Sequence, residues 1–293
     1  MHPRYADCCA TIKPYADLRY AIKKGCLRHP ERFDMKLIFI RHAEPDYENN
    51  TLTEKGFREA EILSERTKNW DVTKVYSSPL ERARFTAAPS LKKWGKEADV
   101  REWLQEFTIP WVTDDIDKAR IVWDFLPSYL DEHPELFDKD AWLDNEIMHT
   151  VPVAEYHNKV ITGFDALMAE HGYIRNGAFY NCPAAALPTN HYMVYDGNTL
   201  EHMKDAKVDE TTLVFFCHLG VMSVLLAHLM NVSPAVIWHG CFVATSSVTV
   251  LCSEERTPGE AYFRCQCLGD TSHLRAVGEK VSYYGYFTTP FQG

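Results

Sequence analysis

Met35-Lys36-Leu37-Ile38-Phe39-Ile40-Arg41-His42-Ala43-Glu44 is the stretch on which the reading of this 293-residue chain turns. Four consecutive apolar residues, Leu37 to Ile40, have the pattern of a strand buried on both faces, as in parallel α/β sheets. Such a strand is a rigid platform, and groups at its carboxyl end face the crevice where open α/β sheets take ligands. Arg41 carries a permanent charge on a fork that matches a phosphate, and the neighbouring imidazole of His42 can be a nucleophile near neutral pH. The pair suits acceptance of a phosphoryl group by histidine. An Arg-His dipeptide at a strand end is also a common structural feature, so the rest of the chain has to decide.

Outward from this strand, apolar and polar segments alternate at the spacing of an α/β fold. Residues 1–34 are polar, mixed and helix-like around Ala16–Lys24; they read as an N-terminal extension, with Met35 a candidate original start. Beyond the polar loop Pro45–Asn50, Thr53 is placed as N-cap of an amphipathic helix carrying Phe57, Ala60, Ile62 and Leu63 and running to about Lys68. Val72–Tyr76 reads as a second strand, followed by a helix with Pro79 near its start. A third strand, about Asp99–Trp103, runs into Leu104-Gln105-Glu106-Phe107.

Residues 108–152 break the rhythm, with helical stretches expected near 116–131 and 135–145, and a helix from about Val153 to His171 follows. The segment 172–209 is rich in Gly, Asn, Pro and Tyr. Both irregular regions are expected to be inserts over one end of the sheet, forming a lid. The pattern resumes with Thr211–Cys217, an apolar strand that ends at His218-Leu219-Gly220 and enters the helix Val221–Met230. Strands near 243–252 and 260–268, separated by Pro258-Gly259, are expected to pair as an antiparallel hairpin. The fold class is therefore α/β: a three-layer α/β/α sandwich around a mostly parallel sheet, in one domain over residues 35–293.

Composition narrows the functions. A formal net charge of −10 argues against general affinity for nucleic acid or an anionic membrane, and any phosphate site must be a local positive pocket. No run of 18 or more apolar residues is present, so no transmembrane helix is expected. Basic residues spread along 1–34 without an apolar core do not read as a signal peptide. The nine cysteines form neither a disulfide framework nor a paired zinc pattern, which points to a reducing, cytoplasmic setting.

The chemistry-bearing residues gather at strand exits. His42 and His218 each end an apolar strand, Arg82 lies in the first turn after another, and Glu106 follows the third. Gly220, opening the helix after His218, permits close backbone approach to an anion. Rivals exist: Arg84 for Arg82, and Glu102 or Asp114-Asp115 for Glu106. Glu44 reads equally as a pocket residue or as the partner of a nearby cation. His218, His228 and His239 lack the i, i+4 spacing of a helical zinc site, so no metal is expected, and His228 and His239 read as structural. The aromatics Trp103, Phe107, Trp111, Trp123 and Trp142 could line a lid, but suit a small core of the insert better.

With these residues in place, the chain resembles the histidine phosphatase superfamily, the clan of cofactor-dependent phosphoglycerate mutases and many small-molecule phosphatases. The matching motifs are Arg41-His42-Ala43-Glu44, Leu52-Thr53-Glu54-Lys55-Gly56, Ser77-Ser78-Pro79-Leu80-Glu81-Arg82-Ala83 and Leu213-Val214-Phe215-Phe216-Cys217-His218. The closing Gly269-Asp270-Thr271-Ser272-His273-Leu274 is also familiar from the clan. The resemblance covers roughly residues 35–107 and 153–275. It departs at His218-Leu219-Gly220, where the clan has His-Gly-Gly.

The resemblance implies that His42 attacks phosphorus and becomes phosphohistidine, its other ring nitrogen held by a backbone carbonyl. Arg41, Arg82 and His218 would bind the phosphoryl oxygens, and Glu106 would protonate the leaving oxygen and then activate water. No metal or cofactor is needed. The phosphoglycerate mutases' arginine-rich stretch after the acid is not visible here, and residues 107–152 are acidic. The expected activity is that of a metal-independent phosphatase of the histidine acid type, hydrolysing a small phosphorylated metabolite. The alternatives are a mutase-type phosphotransferase and a non-catalytic relative that binds phosphorylated ligands.

Overall fold

The computed structural model describes residues 31–107, 112–113, 119–182, 207–257, 259–285 and 288–292. The helix expected around Ala16–Lys24, the central part of the second insert, Trp111 and the rival acids Asp114 and Asp115 lie outside the described residues.

Strand β1 spans Glu31–Arg41, and helix α1 follows at Glu54–Thr67. Then come β2 (Lys74–Ser77), α2 (Glu81–Trp94) and β3 (Ala98–Val100). Helix α3 (Val153–Glu170) leads to a hairpin of β4 (Ile174–Asn176) and β5 (Phe179–Asn181). The chain continues through β6 (Lys207–Cys217), α4 (Leu219–Met230), β7 (Val248–Thr257), β8 (Glu260–Asp270) and α5 (Ser272–Ala276).

The eight-stranded sheet has the order β3-β2-β6-β1-β7-β8-β5-β4. From β3 to β1 all neighbours run parallel, and from β1 onward every pair is antiparallel. Alternation along β1 divides the core as the pleat requires. Ile38 and Ile40 pack with Leu63 and Ala87 of α1 and α2 on one face. Leu37 and Phe39 pack with Phe164 and Leu225 of α3 and α4 on the other. This is the three-layer α/β/α arrangement the sequence predicts.

Several boundaries differ from the sequence reading. Strand β1 begins at Glu31, because Glu31–Asp34 pair in register with Lys207–Glu210 of β6. Strand β7 starts at Val248 rather than 243, since Ser246 adopts a left-handed backbone (φ 59°) in the loop before it. The hairpin β4–β5, read as part of an insert, extends the sheet edge by pairing with β8. In place of long helices, the described part of the first insert forms a small antiparallel pair (Val112–Thr113 with Ala119–Arg120), short helices at Pro127–Glu132 and Glu146–Thr150, and 3-10 turns at Pro134–Phe137 and Trp142–Asp144. Phe107 and Trp142 are buried in the main core rather than in a separate one.

Candidate active site

The two histidines come together because their strands are in register. Arg41 of β1 stands opposite Cys217 of β6, so His42 and His218 leave adjacent parallel strands at the same level. The His42 N–H still donates to the Cys217 carbonyl (2.9 Å), and the imidazole centroids are 5.1 Å apart. Both rings are buried.

Nδ1 of His42 lies 2.8 Å from the Ala43 carbonyl oxygen. A carbonyl only accepts, so Nδ1 carries the proton and Nε2 keeps its lone pair. Burial, and next the charge of Arg41, push the pKa of His42 well below the ordinary imidazole value, against the Ala43 hydrogen bond. The ring is therefore held neutral at physiological pH, with the Nε2 lone pair available.

His218 is likewise held well below its ordinary pKa, first by burial and then by His42 and the two arginines. Its Nε2 is 2.7 Å from Ser78 Oγ, which also accepts the Leu80 N–H (3.2 Å). The serine proton is then best donated to Nε2, placing the ring proton on Nδ1. That Nδ1 is buried and has no hydrogen-bond partner among the described residues.

Arg41 is buried, and its Nη1 donates to the Val243 carbonyl at 2.6 Å. The Ser246 N–H donates to the carbonyls of both Arg41 and His42 (3.1 Å each), fixing the backbone of the pair. Arg82 projects from the first turn of α2, its guanidinium 5.4 Å from the centroid of the Tyr47 ring. The Nε atoms of Arg41 and Arg82, like Nδ1 of His218, are buried donors without a partner among the described residues. Burial lowers the pKa of both guanidinium groups, with Glu106 pulling the other way, but guanidinium does not deprotonate in a protein. Two charges and several unpaired donors therefore converge beside His42, an arrangement that suits an anion rich in oxygen.

Glu106 follows β3 through a 3-10 turn, Glu102–Leu104. Its Oε1 accepts the N–H groups of Phe107 (2.9 Å), Gly220 (2.9 Å) and Val221 (3.2 Å), so the carboxylate sits on the N-terminus of α4. The anion approached closely by the Gly220 backbone is thus the protein's own carboxylate. A Cβ at position 220 would lie 2.8 Å from Glu106 Oε1 and 2.9 Å from Trp123 Nε1, closer than real side-chain contacts allow.

The structure brings Arg41, His42, Arg82, Glu106 and His218 to one place. It does not bring Arg84, which is exposed and lines a cavity of about 430 Å³ with Glu81, Lys96 and Glu97. Glu102 is exposed at the start of its turn. His228 pairs with Asp165 (2.9 Å), and His239 accepts the Phe125 N–H through Nε2 (3.2 Å), both structural tasks. Glu44 accepts the Thr53 hydroxyl (2.9 Å) and the Ser282 hydroxyl (2.6 Å).

Sequence reasoning missed Tyr47 and the chain after Leu274. Tyr47 carries Arg82 on its ring and faces Tyr284 at a centroid distance of 6.3 Å; its phenol pKa is raised chiefly by burial, with Arg41 and Arg82 opposing. Its only sequence signal was a tyrosine in the polar loop after Arg41-His42.

The site geometry now meets the comparisons with known proteins. Residues 37–115 match the model of the histidine phosphatase superfamily, branch 1. This segment is similar to the core of histidine phosphatases. A stretch of 60 residues is 43% identical to a 2,3-bisphosphoglycerate-dependent phosphoglycerate mutase of Thermoplasma acidophilum, covering 17% of this chain and 30% of that protein. Another of 129 residues is 28% identical to a proposed phosphoserine phosphatase of Hydrogenobacter thermophilus, covering 41% of this chain and 58% of that protein. The chain thus spans less than two thirds of either relative. A solved structure, mycobacterial hydrolase 2, shares the fold at a TM-score of 0.50 and 17% identity, over 83% of this chain and 96% of that one. All four histidine phosphatase motifs quoted from the sequence lie on the elements just described, three of them within the matched segment.

Proposed function

We propose that this protein hydrolyses a phosphate monoester of a small metabolite through a phosphohistidine on His42. The observation that carries the reading is the state of His42. It is a neutral imidazole with its Nδ1 proton tied to Ala43, beside Nε of Arg41, Nε of Arg82 and Nδ1 of His218, three buried donors without an acceptor among the described residues.

The mechanism follows from these groups. The phosphoryl oxygens take the guanidinium donors of Arg41 and Arg82 and the Nδ1–H of His218. The Nε2 lone pair of His42 attacks phosphorus as the ester oxygen departs. Glu106, in its protonated form, gives that oxygen a proton; the resulting carboxylate then takes a proton from water as water attacks the phosphohistidine. Free phosphate leaves and both groups return to their starting states. The charge that a divalent metal supplies in other phosphoryl transfers comes here from the arginines, so the reaction is metal-independent.

Hydrolysis is favoured over mutase-type return of the group because residues 119–152 carry many more carboxylates than cations, a poor seat for a second anionic group. A soluble setting is consistent with the described residues, where no helix is long and apolar enough to cross a membrane. We place the protein in the cytoplasm on the six free cysteines among the described residues.

The test is to mix the protein with labelled phosphomonoesters, quench rapidly, and measure acid-labile, base-stable phosphohistidine. Label is expected on the wild type and absent from His42→Ala, with turnover unaffected by chelators. Activity that survives His42→Ala, or that a chelator abolishes, overturns the mechanism. Label returned to a second position on the substrate identifies a mutase.

A further inference from the structure

The chain beyond α5 returns to the active site, outside the sequence motifs and the segment that the family model matches. Ser282 is buried, and its hydroxyl donates to Glu44 Oε2 at 2.6 Å while accepting the Tyr284 N–H at 3.0 Å. Lys55, which neutralises the fully buried Glu59 at 2.8 Å, also donates to the Lys280 carbonyl at 2.6 Å. Gln292 closes the loop on itself, accepting the Val281 N–H (2.9 Å) and donating to the Val281 carbonyl (3.1 Å). Glu44, the acidic end of the Arg-His-Ala-Glu motif, therefore holds this segment through Oε2 while Oε1 takes the Thr53 hydroxyl.

What the segment delivers is Gly285. Its backbone is left-handed (φ 62°), and a Cβ built on it would stand 2.7 Å from Nη2 of Arg41. The glycine therefore packs directly against the guanidinium, and the Val243 carbonyl fixes Nη1 on the same group at 2.6 Å. The plane of the guanidinium is set between these two contacts. An L-residue at 285 meets two obstacles at once: a strained backbone conformation and a collision with a charged group that a phosphoryl oxygen has to reach.

We propose that the C-terminal segment Glu279–Gly285 is a wall of the phosphate pocket, latched to Glu44 through Ser282, and that Gly285 is a positioning residue for Arg41. The placing of Arg41 in a phosphate pocket rests on the function proposed above. The segment acts through a side chain 244 positions upstream of Gly285, so the proposal predicts coupling between the two and not a loss confined to folding.

The experiment is a double-mutant cycle read by calorimetric binding of inorganic phosphate, with thermal melting to confirm that each variant folds. Gly285→Ala is expected to weaken phosphate binding about tenfold in the wild-type background and less than about twofold in an Arg41→Ala background, because coupled residues lose their effects non-additively. Ser282→Ala, which frees the latch without entering the pocket, should weaken binding in the same direction and lose its effect in the same background. It keeps the test open if Gly285→Ala fails to fold. Equal factors in both backgrounds, or no change in the wild-type background, overturn the proposal. Failure of the functional reading looks different: wild-type protein binds phosphate, and the cycle shows coupling, but no phosphohistidine forms from any ester.

Discussion

Replacing Glu106 with Gln exchanges one oxygen for an amide nitrogen and leaves the other oxygen where three backbone N–H groups hold it. Oε1 accepts from Phe107, Gly220 and Val221, and a carboxamide oxygen can accept the same three bonds. The three bonds to Oε1 are kept, so stability should fall by no more than about 1–2 kcal/mol. What is lost chemically is the proton for the leaving oxygen and the base for water, a contribution of about 10²–10⁴ in rate, or about 3–5 kcal/mol in barrier height. The two effects separate by choice of substrate. An alkyl phosphate such as glycerol phosphate releases an alkoxide that must be protonated, whereas a nitrophenyl phosphate releases a stable phenolate unaided. Rapid-quench measurement of the phosphorylation step should show the full loss on the alkyl ester and less than about tenfold on the aryl ester. With the aryl ester the variant should also accumulate phosphohistidine, since water is no longer activated. Equal losses on both esters, or normal turnover of the alkyl ester, would refute the assignment of Glu106 as proton donor.

Other expectations follow from the same geometry. Gly220→Ala should lower kcat on alkyl esters about 10–100-fold, because its Cβ displaces Oε1 from 2.8 Å; the overpacking, about 1–3 kcal/mol, exceeds the roughly 0.5–1 kcal/mol by which alanine normally favours a helix. The pKa of His273 is held down at about 4 by burial and then by Arg66, so the unfolded chain takes up a proton below pH 6.5 that the folded one refuses. Its contribution to stability is present at pH 7 and is lost as the pH falls through that window, by about 2 kcal/mol at pH 5. Urea titrations at the two pH values should show a smaller acid loss for His273→Gln than for the wild type; an unchanged loss would assign the acid sensitivity elsewhere. Tyr47→Ala, which removes the ring beneath Arg82, should raise KM for phosphate esters several-fold while leaving the His42 phosphorylation chemistry in place. A fall in kcat alone would contradict that role.

Much of the site was legible because its parts end strands. The apolar run Leu37–Ile40 and the run Leu213–Cys217 announce buried strands, and His42 and His218 stand at their ends. Thr53 was readable as an N-cap from local chemistry, and its hydroxyl does accept the Gly56 N–H at 3.0 Å. Residues whose roles depend on distant partners were not legible. Glu31–Asp34 have no apolar pattern and are strand only because β6 pairs with them. Glu44 could not be resolved, since its partner Ser282 lies 238 residues away. Gly220 was read as permitting an anion's approach, and the fold puts the Glu106 carboxylate in that place. Nothing in the segment Lys280-Val281-Ser282-Tyr283-Tyr284-Gly285 signals that it returns to Arg41, because a glycine's neighbour is invisible in its own sequence.

The in-register pairing of β1 with β6 has a consequence for how this site can vary and be controlled. The separation of the His42 and His218 rings, 5.1 Å, is close to the ~4.8 Å pitch of neighbouring strands, so it is a lattice dimension of the sheet. Every residue of the eleven-residue β1 is paired across this seam, and the next backbone N–H, that of His42, extends it by one bond. Breathing of loops cannot pull the two imidazoles apart; only melting the sheet can, and amide exchange at His42 should report global unfolding. Substrate preference is free to drift through the segments that wall the pocket while the distance between nucleophile and partner stays quantised by the backbone.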